Sequence, residues 1–99
     1  MVRRRVELSP DAVRQLRALR ARDRGLVKEH IREQLEDSDA TQETRNRFRL
    51  RRPSRVADYE LRIGDWRVFY RVVGDTVQVA LIGRKRGNVL IIDRRRFIL

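Results

Sequence analysis

Alternating apolar and polar residues dominate the stretch from 58 to 84, which contains three runs rich in β-branched and aromatic side chains. Two Gly-Asp pairs, Gly64-Asp65 and Gly74-Asp75, separate these runs. A two-residue loop that begins with glycine is typical of a tight β-hairpin, because glycine readily adopts the positive φ that such turns need. The pattern therefore predicts a three-stranded antiparallel meander.

The two-residue loops also set the register of the predicted strands, and with it the face on which each side chain lies. One face is apolar, with Tyr59 opposite Tyr70, Leu61 opposite Val68, Ile63 opposite Trp66, Val72 opposite Val77, Tyr70 opposite Val79, and Val68 opposite Leu81. The other face carries Asp58, Glu60, Arg62, Arg67, Phe69, Arg71, Gln78, Ala80, Ile82 and Arg84. We expect the first face to form the core and the second to be a candidate working surface.

The chain before the meander begins with one more strand and then a helix. Residues 2–8 alternate between apolar and polar, which predicts a strand at an edge of the sheet. Ser9 is a suitable N-cap, and Pro10 suits the first helical position because the N–H it lacks would have no partner there. The negative charge of Asp11, in the first turn, interacts favourably with the positive end of the helix dipole. A helix should therefore begin at Pro10.

Two apolar stripes at helical spacing follow this start signal and are interrupted near Gly25. They predict helices over about 10–21 and 24–36, with Asp23 as a candidate cap of the second helix. A single kinked helix is the alternative. We expect the two helices to form a hairpin on the apolar face of the sheet, which gives an α+β fold in one domain spanning residues 1–99.

Basic residues are concentrated in two further segments. In residues 37–57 the composition changes from acidic to basic, with Arg49, Arg51 and Arg52 as candidate phosphate contacts, although a solvated loop explains them equally well. Apolar residues alternate at Phe48 and Leu50, which fits either a short strand or an extended loop. This segment is thus a candidate binding rim beside the meander.

The second basic segment follows the meander and consists of Arg84, Lys85 and Arg86 inside a glycine frame. The Gly-Asn pair at 87–88 favours a turn, and the apolar run 89–92 predicts one more strand. Backbone amides of such a turn, together with three cations, are able to hold a phosphate.

The charge of the chain limits the kinds of partner it can have. Its 99 residues include 25 Lys or Arg against 14 Asp or Glu, a formal net charge of +11. This makes a polyanion such as RNA the first partner to consider, with an acidic protein as the alternative; a solvated surface rich in arginine is the third explanation. The sequence has no cysteine and no membrane-spanning segment, so we expect a cytoplasmic protein without disulfides.

The candidate chemistry is RNA cleavage without a metal or any other cofactor. The chain has one histidine and no clustered metal-binding pattern, whereas arginines can stabilise the charge that develops when an RNA 2′-hydroxyl attacks the neighbouring phosphate. Arg62 and Arg67 are predicted cross-strand partners, with Arg71 nearby. Glu60 is a candidate base for such a reaction, and an ion pair with a neighbouring arginine is the alternative role.

The order of elements, together with LRIGDWRVFYRV at 61–72 and ALIGRKRGN at 80–88, resembles the RelE/ParE superfamily of toxins from type II toxin–antitoxin modules. The resemblance to its RelE branch implies a ribosome-dependent endoribonuclease that cuts mRNA, with Arg67 and Arg62 as active-site residues. It also implies a basic active-site residue after the meander, which is Lys85 or one of its neighbours Arg84 and Arg86. The chain departs from that branch in carrying Asp58 and Glu60 where lysines are expected, and Val89 to Ile91 where a tyrosine is expected.

The same resemblance implies the partners of the protein. They are an acidic antitoxin that silences the toxin, and the ribosome with its mRNA. The alternative is a toxin that does not cleave RNA, either an inhibitor of DNA gyrase as in the ParE branch or a module that binds RNA or an antitoxin.

Overall fold

The computed structural model describes residues 3–98 and shows a mixed α+β fold, in which helices pack on one face of a mainly antiparallel sheet. The elements are β1 (Arg5–Leu8), α1 (Pro10–Arg17), α2 (Ala21–Ile31), a π-helical turn (Arg32–Glu36) that continues α2, β2 (Arg47–Arg49), β3 (Tyr59–Ile63), β4 (Trp66–Val73), β5 (Thr76–Arg86), β6 (Val89–Ile92) and β7 (Arg95–Ile98). The predicted RelE-like order of strand, two helices and meander is confirmed. Residues 1, 2 and 99, which include the start of the predicted first strand, lie outside the described part.

The sheet contains the predicted meander at its centre and extends beyond it on both sides. Its strands follow the order β2-β3-β4-β5-β6-β7, and β1 pairs in parallel with the first half of β5. The second half of β5 pairs with β6, because β5 is long enough to serve both neighbours. Within the described chain β1 pairs with β5 alone, as expected for an edge strand.

Both predicted helices form. The predicted start and cap are correct for α1 but not for α2. The Oγ atom of Ser9 accepts a hydrogen bond from the Ala12 N–H at 3.0 Å and donates one to the Ala80 carbonyl at 2.6 Å, so Ser9 caps α1 and ties it to β5. The second helix starts at Ala21, three residues earlier than predicted, and has no side-chain cap. The prediction that Asp23 caps this helix was therefore wrong.

The core lies between the helices and the apolar face of the meander. Ala12, Val27, Ile31 and Leu35 from the helical side meet Tyr59, Leu61, Ile63, Val68, Tyr70, Val77 and Val79 from the sheet. The rings of Tyr59 and Tyr70 stack with their centroids 5.3 Å apart. The Tyr70 hydroxyl donates to the Ala40 carbonyl at 2.8 Å, which satisfies its polar group inside the core.

A β-bulge in β5 places the later side chains of this strand on the face opposite to the one predicted. The first hairpin has the expected register, and Tyr70 lies opposite Val79 as predicted. Beyond that pair, however, Phe69 lies opposite Leu81, so Ala80 is an extra residue and every later side chain of β5 changes face. As a result Val68 faces Ile82 rather than Leu81, and Ile82 belongs to the core.

The last described element is the β6–β7 hairpin, whose outer strand β7 the sequence patterns did not indicate. Its turn contains Asp93 with φ 52° and Arg94 with φ 65°, a left-handed conformation adopted here without glycine. The Asp93 carboxylate accepts from Arg14 at 2.8 Å and from Gln15 at 3.0 Å. These two bonds fasten the turn to α1, so a contact distant in sequence supports this hairpin.

Candidate functional site

The sheet surface opposite the helices, which we call the outer face, brings together the four predicted catalytic residues. It carries Phe48, Glu60, Arg62, Arg67, Phe69, Arg71, Gln78 and Lys85. Arg62 and Arg67 are direct cross-strand partners, as predicted. Lys85 lies two residues beyond Gly83, the partner of Arg67, and its backbone N–H donates to the Asp65 carbonyl at 2.7 Å. The four predicted catalytic positions therefore share one surface.

At the centre of this face, Glu60 lies between two arginines. Its Oε1 atom is 3.2 Å from Nε of Arg67 and 3.5 Å from Nε of Arg62. The side chains of Arg67 and Glu60 are only 8% and 15% exposed. The ion-pair role considered for Glu60 is thus present in the folded chain.

Arg67 is held by the backbone as well as by Glu60. Its Nη1 atom donates to the Gly64 carbonyl at 2.7 Å and to the Trp66 carbonyl at 3.0 Å, which fixes the guanidinium against the β3–β4 turn. Burial lowers the pKa of Arg67, and the charge of Glu60 opposes that effect. An arginine remains protonated under such shifts, so the pair is ionic.

Arg62 is the more accessible cation of the cluster. Its side chain is 46% exposed, and its guanidinium lies 4.2 Å from the centroid of the Phe48 ring. An arginine stacked on an aromatic ring keeps its N–H groups directed outward, where they can meet a phosphate or a carboxylate. Arg71, further along the face, lies 3.9 Å from the Asp58 carboxylate.

The candidate phosphate-binding residues are divided between the two sides of the sheet. Arg84 was predicted on the basic outer face, but the bulge turns it to the helix side, where its guanidinium lies 5.2 Å from the centroid of the Trp66 ring. Arg86 shares that side. Arg49 also lies on the helix side, since it pairs with Tyr59 and donates to the Tyr59 hydroxyl at 3.0 Å.

The remaining candidates, Arg51 and Arg52, are exposed in a bend directly after β2. Arg47, which belongs to the arginine-rich segment predicted as a binding rim, is instead buried on the helix side, where it donates to the Gln34 carbonyl at 2.7 Å and the Gln42 carbonyl at 3.1 Å. It holds the 37–57 segment against the end of the π-helical turn. A buried structural arginine among exposed ones has no distinguishing mark in the sequence.

The described residues offer neither a metal site nor a membrane span. Among residues 3–98, no three acidic or histidine side chains come close enough to hold a metal ion. None of the helices described is long and apolar enough to cross a bilayer.

Comparison with known protein families decides the classification. The sequence profile of the ParE toxin of type II toxin–antitoxin systems (parDE) matches residues 6–89. The chain belongs to this toxin family. The match runs from the first strand to the start of β6, so it covers both helices and strands β2 to β5, which carry the outer face.

Membership of the family confirms the predicted resemblance to the RelE/ParE superfamily and implies an antitoxin as the partner of this toxin. A search among curated proteins found no match. Glu60 and Asp58, the two acidic residues at which the sequence departs from the expected RelE pattern, both lie close to arginines of the outer face.

Proposed function

We propose that this toxin acts by binding a protein target, which in the ParE branch is DNA gyrase, and that it does not cleave RNA. The contact between Glu60 and Arg67 supports the proposal. Metal-free cleavage needs a base with a free lone pair and a guanidinium directed at the scissile phosphate. Here the carboxylate and the guanidinium neutralise each other and are largely buried.

The family relationship agrees with this interpretation, since the matching profile carries the name of the ParE toxin. At the position where the RelE branch has a lysine, Glu60 removes one positive charge and cancels a second on Arg67. The positive charge of the outer face is therefore partly neutralised. Such a surface suits recognition of a protein better than stabilisation of the negatively charged transition state of RNA cleavage.

The second candidate is the ribosome-dependent mRNA endoribonuclease predicted from the RelE-like motifs. It is favoured by the exposure of Arg62 and by the position of Lys85 on the same face. In this mechanism Arg62, Arg67 and Lys85 would stabilise the transition state, and Glu60 would have to leave its ion pairs to act as the base.

Two assays on the purified chain distinguish the candidates. In the first, DNA gyrase is incubated with the toxin and relaxed plasmid, and we expect inhibition of supercoiling. In the second, ribosomes programmed with a defined mRNA are incubated with the toxin, and primer extension should reveal no new 5′ ends. A-site cleavage products together with unimpaired supercoiling would overturn the proposal.

A pair of variants links either activity to the outer face. Arg62→Ala removes the accessible guanidinium of the cluster, whereas Arg22→Ala removes an exposed arginine at the start of α2 and serves as a control of equal charge. If the outer face is the working surface, the first change weakens the observed activity about tenfold or more and the second leaves it within about twofold. Equal effects would indicate a contribution of net charge alone.

A further inference from the structure

A dense group of arginines lies on the helix side of the sheet, between α1 and the β6–β7 hairpin. There the chain forms a groove of about 1000 Å³, which we call the hairpin groove. The four candidate catalytic residues of the outer face do not line it. The arginines that border it from the sheet are Arg84, Arg86, Arg94, Arg95 and Arg96.

Strand pairing places two of these arginines in one row across the sheet. Arg84 of β5 lies opposite Ile91 of β6, and Ile91 lies opposite Arg96 of β7. Residues opposite each other on neighbouring strands share a face, so all three side chains belong to the groove side. Because neighbouring strands are about 4.8 Å apart, the backbones of Arg84 and Arg96 are about 10 Å apart. The row thus holds two cations at a fixed separation.

Within the described chain, the charge of this group is not neutralised. Asp93 is the one acidic residue among the described lining residues, and it already accepts from Arg14 at 2.8 Å and from Gln15 at 3.0 Å. Each ion pair found among residues 3–98 involves a cation outside this group.

The Arg84 side chain is the most constrained of the group. Its guanidinium lies 5.2 Å from the centroid of the Trp66 ring, and its Nε atom is buried with no hydrogen-bond partner in the described chain. A guanidinium stacked in this way is held in one orientation, so binding an anion costs little further side-chain entropy. The groove is therefore prepared for an anionic ligand.

We propose that the hairpin groove binds the phosphate backbone of double-stranded DNA. A guanidinium donates two parallel hydrogen bonds to the oxygens of a phosphate, and each neutralised phosphate releases counterions that were condensed on the duplex. The inference goes beyond the proposed function and does not depend on it, since neither gyrase nor mRNA enters the argument.

The groove suits a duplex better than a single strand. Proteins hold single-stranded nucleic acid largely by stacking its bases on aromatic side chains. Trp66 is the one aromatic residue among the described lining residues, and the Arg84 guanidinium already lies over its ring. Bases that are paired inside a duplex need no such partner, whereas the phosphates remain accessible on its outside.

The groove also suits DNA better than an RNA duplex. Double-stranded RNA is recognised in large part through its 2′-hydroxyl groups, which donate as well as accept hydrogen bonds. The side-chain acceptors of the groove are already engaged, because Gln15 Oε1 accepts from the Ile82 N–H at 2.6 Å and Asp93 accepts from α1. Guanidinium groups only donate. The surface therefore matches phosphates and offers nothing specific to a 2′-hydroxyl.

Fluorescence anisotropy of a labelled DNA duplex of about 20 base pairs, titrated with the full chain at about 50 to 200 mM salt, tests the proposal. We expect saturable binding whose logarithm falls with the logarithm of salt concentration, with a slope near −4.5 if all five arginines neutralise a phosphate. Trp66 is the single tryptophan of the chain, so its emission should change over the same titration. An RNA duplex and a single strand of the same sequence should bind more weakly.

Variants locate the site. Arg84→Gln and Arg96→Gln should each weaken binding roughly tenfold at about 0.1 M salt and make the slope shallower by about 1. Arg96 is exposed, so its replacement leaves the fold intact even if that of Arg84 does not. The control is Arg22→Gln combined with Lys28→Gln, which removes two exposed charges of α2 and should leave the slope unchanged. Circular dichroism checks that each variant is folded.

Several outcomes would overturn the proposal. They are the absence of saturable binding, a constant Trp66 emission, an unchanged slope in Arg96→Gln, and a loss of affinity in the control as large as that in Arg96→Gln. Tighter binding of the RNA duplex or of the single strand would assign the groove to RNA or to unpaired bases. Displacement of the duplex by polyglutamate at equal charge concentration would show that the groove accepts any polyanion.

Discussion

The Nε atom of Arg67 lies 3.2 Å from Oε1 of Glu60, in a contact that joins β4 to β3 on the outer face. Both side chains are largely withdrawn from water, and Arg67 is also bonded to the backbone of the β3–β4 turn. Because an arginine in such a place cannot lose its proton, the carboxylate is needed to balance its charge. The pair therefore has a structural role whatever the target of the toxin.

Glu60→Gln should lower the free energy of unfolding by about 2 kcal/mol, because it leaves the poorly solvated Arg67 without its counter-charge. Urea denaturation followed by circular dichroism measures this change. Glu29→Gln is the control, since Glu29 is exposed and lies 3.6 Å from an exposed Arg32. That substitution should cost less than about 0.5 kcal/mol, and an equal cost in the two variants would contradict a special role for the Glu60 pair.

Gln15→Leu should destabilise the fold by about 2 kcal/mol, although it keeps the volume of the side chain. The buried Gln15 accepts from the Ile82 N–H at 2.6 Å and donates to Asp93 at 3.0 Å, and leucine leaves that N–H without a partner. Hydrogen exchange at the Ile82 amide should also become faster. Gln78→Leu, at an exposed position of β5, serves as the control and should leave both quantities nearly unchanged.

Two glycine substitutions should change the stability of the fold in opposite directions. A Cβ atom on Gly83 would lie 2.7 Å from Cγ1 of Ile92 and 2.9 Å from the Ile91 carbonyl, so Gly83→Ala should cost about 1–3 kcal/mol by pushing β6 away from β5. A Cβ atom on Gly25, within α2, meets nothing within 4 Å. Gly25→Ala should therefore raise stability by about 0.5–1 kcal/mol. Thermal melts compare the two, and a stabilising Gly83→Ala would disprove the close approach of β6.

Stability should fall when the pH drops below about 4, in part because of Asp39. Hydrogen bonds from the Thr41 hydroxyl and N–H, together with the Arg4 guanidinium at 2.9 Å, lower the pKa of Asp39 from 3.8 to about 2. A carboxylate whose pKa is lower in the folded than in the unfolded chain contributes stability above its unfolded pKa, and that contribution is lost as the pH falls from about 4 to about 2.

Asp39→Asn should accordingly lower stability at neutral pH and flatten its decline between pH 4 and pH 2, as measured by urea denaturation at each pH. Glu33→Gln, which removes an exposed carboxylate of the π-helical turn, is the control and should leave the slope unchanged. A slope identical in Asp39→Asn and in the unaltered chain would show that other carboxylates cause the acid sensitivity.

Local sequence patterns were sufficient to predict most of the fold. The two Gly-Asp turns adopt the positive φ at Gly64 and Gly74 that the hairpin prediction required, and the register of the first hairpin follows from them. Ser9 caps α1 as predicted. The cross-strand pairing of Arg62 with Arg67 was also predicted, because a two-residue loop leaves a single register to the strands that it joins.

What local patterns could not determine arises where distant elements meet. The extra residue Ala80 is placed by its carbonyl bond to Ser9, seventy-one positions away, and that bulge moves Ile82 into the core and Arg84 to the helix side. The β6–β7 turn adopts a left-handed conformation without glycine because α1 holds Asp93.

The amino-acid sequence by itself thus determined the order of the elements from β1 to β6, the core face up to the bulge, and the toxin superfamily of this protein. Tertiary structure alone decided which arginines face outward and which are stacked, buried or paired. The physical reason is that alternation assigns a side chain to a face only while the strand remains regular, and a single bulge reverses every assignment after it. Whether an arginine is free or neutralised depends on partners such as Glu60, whose position is set by the folded sheet.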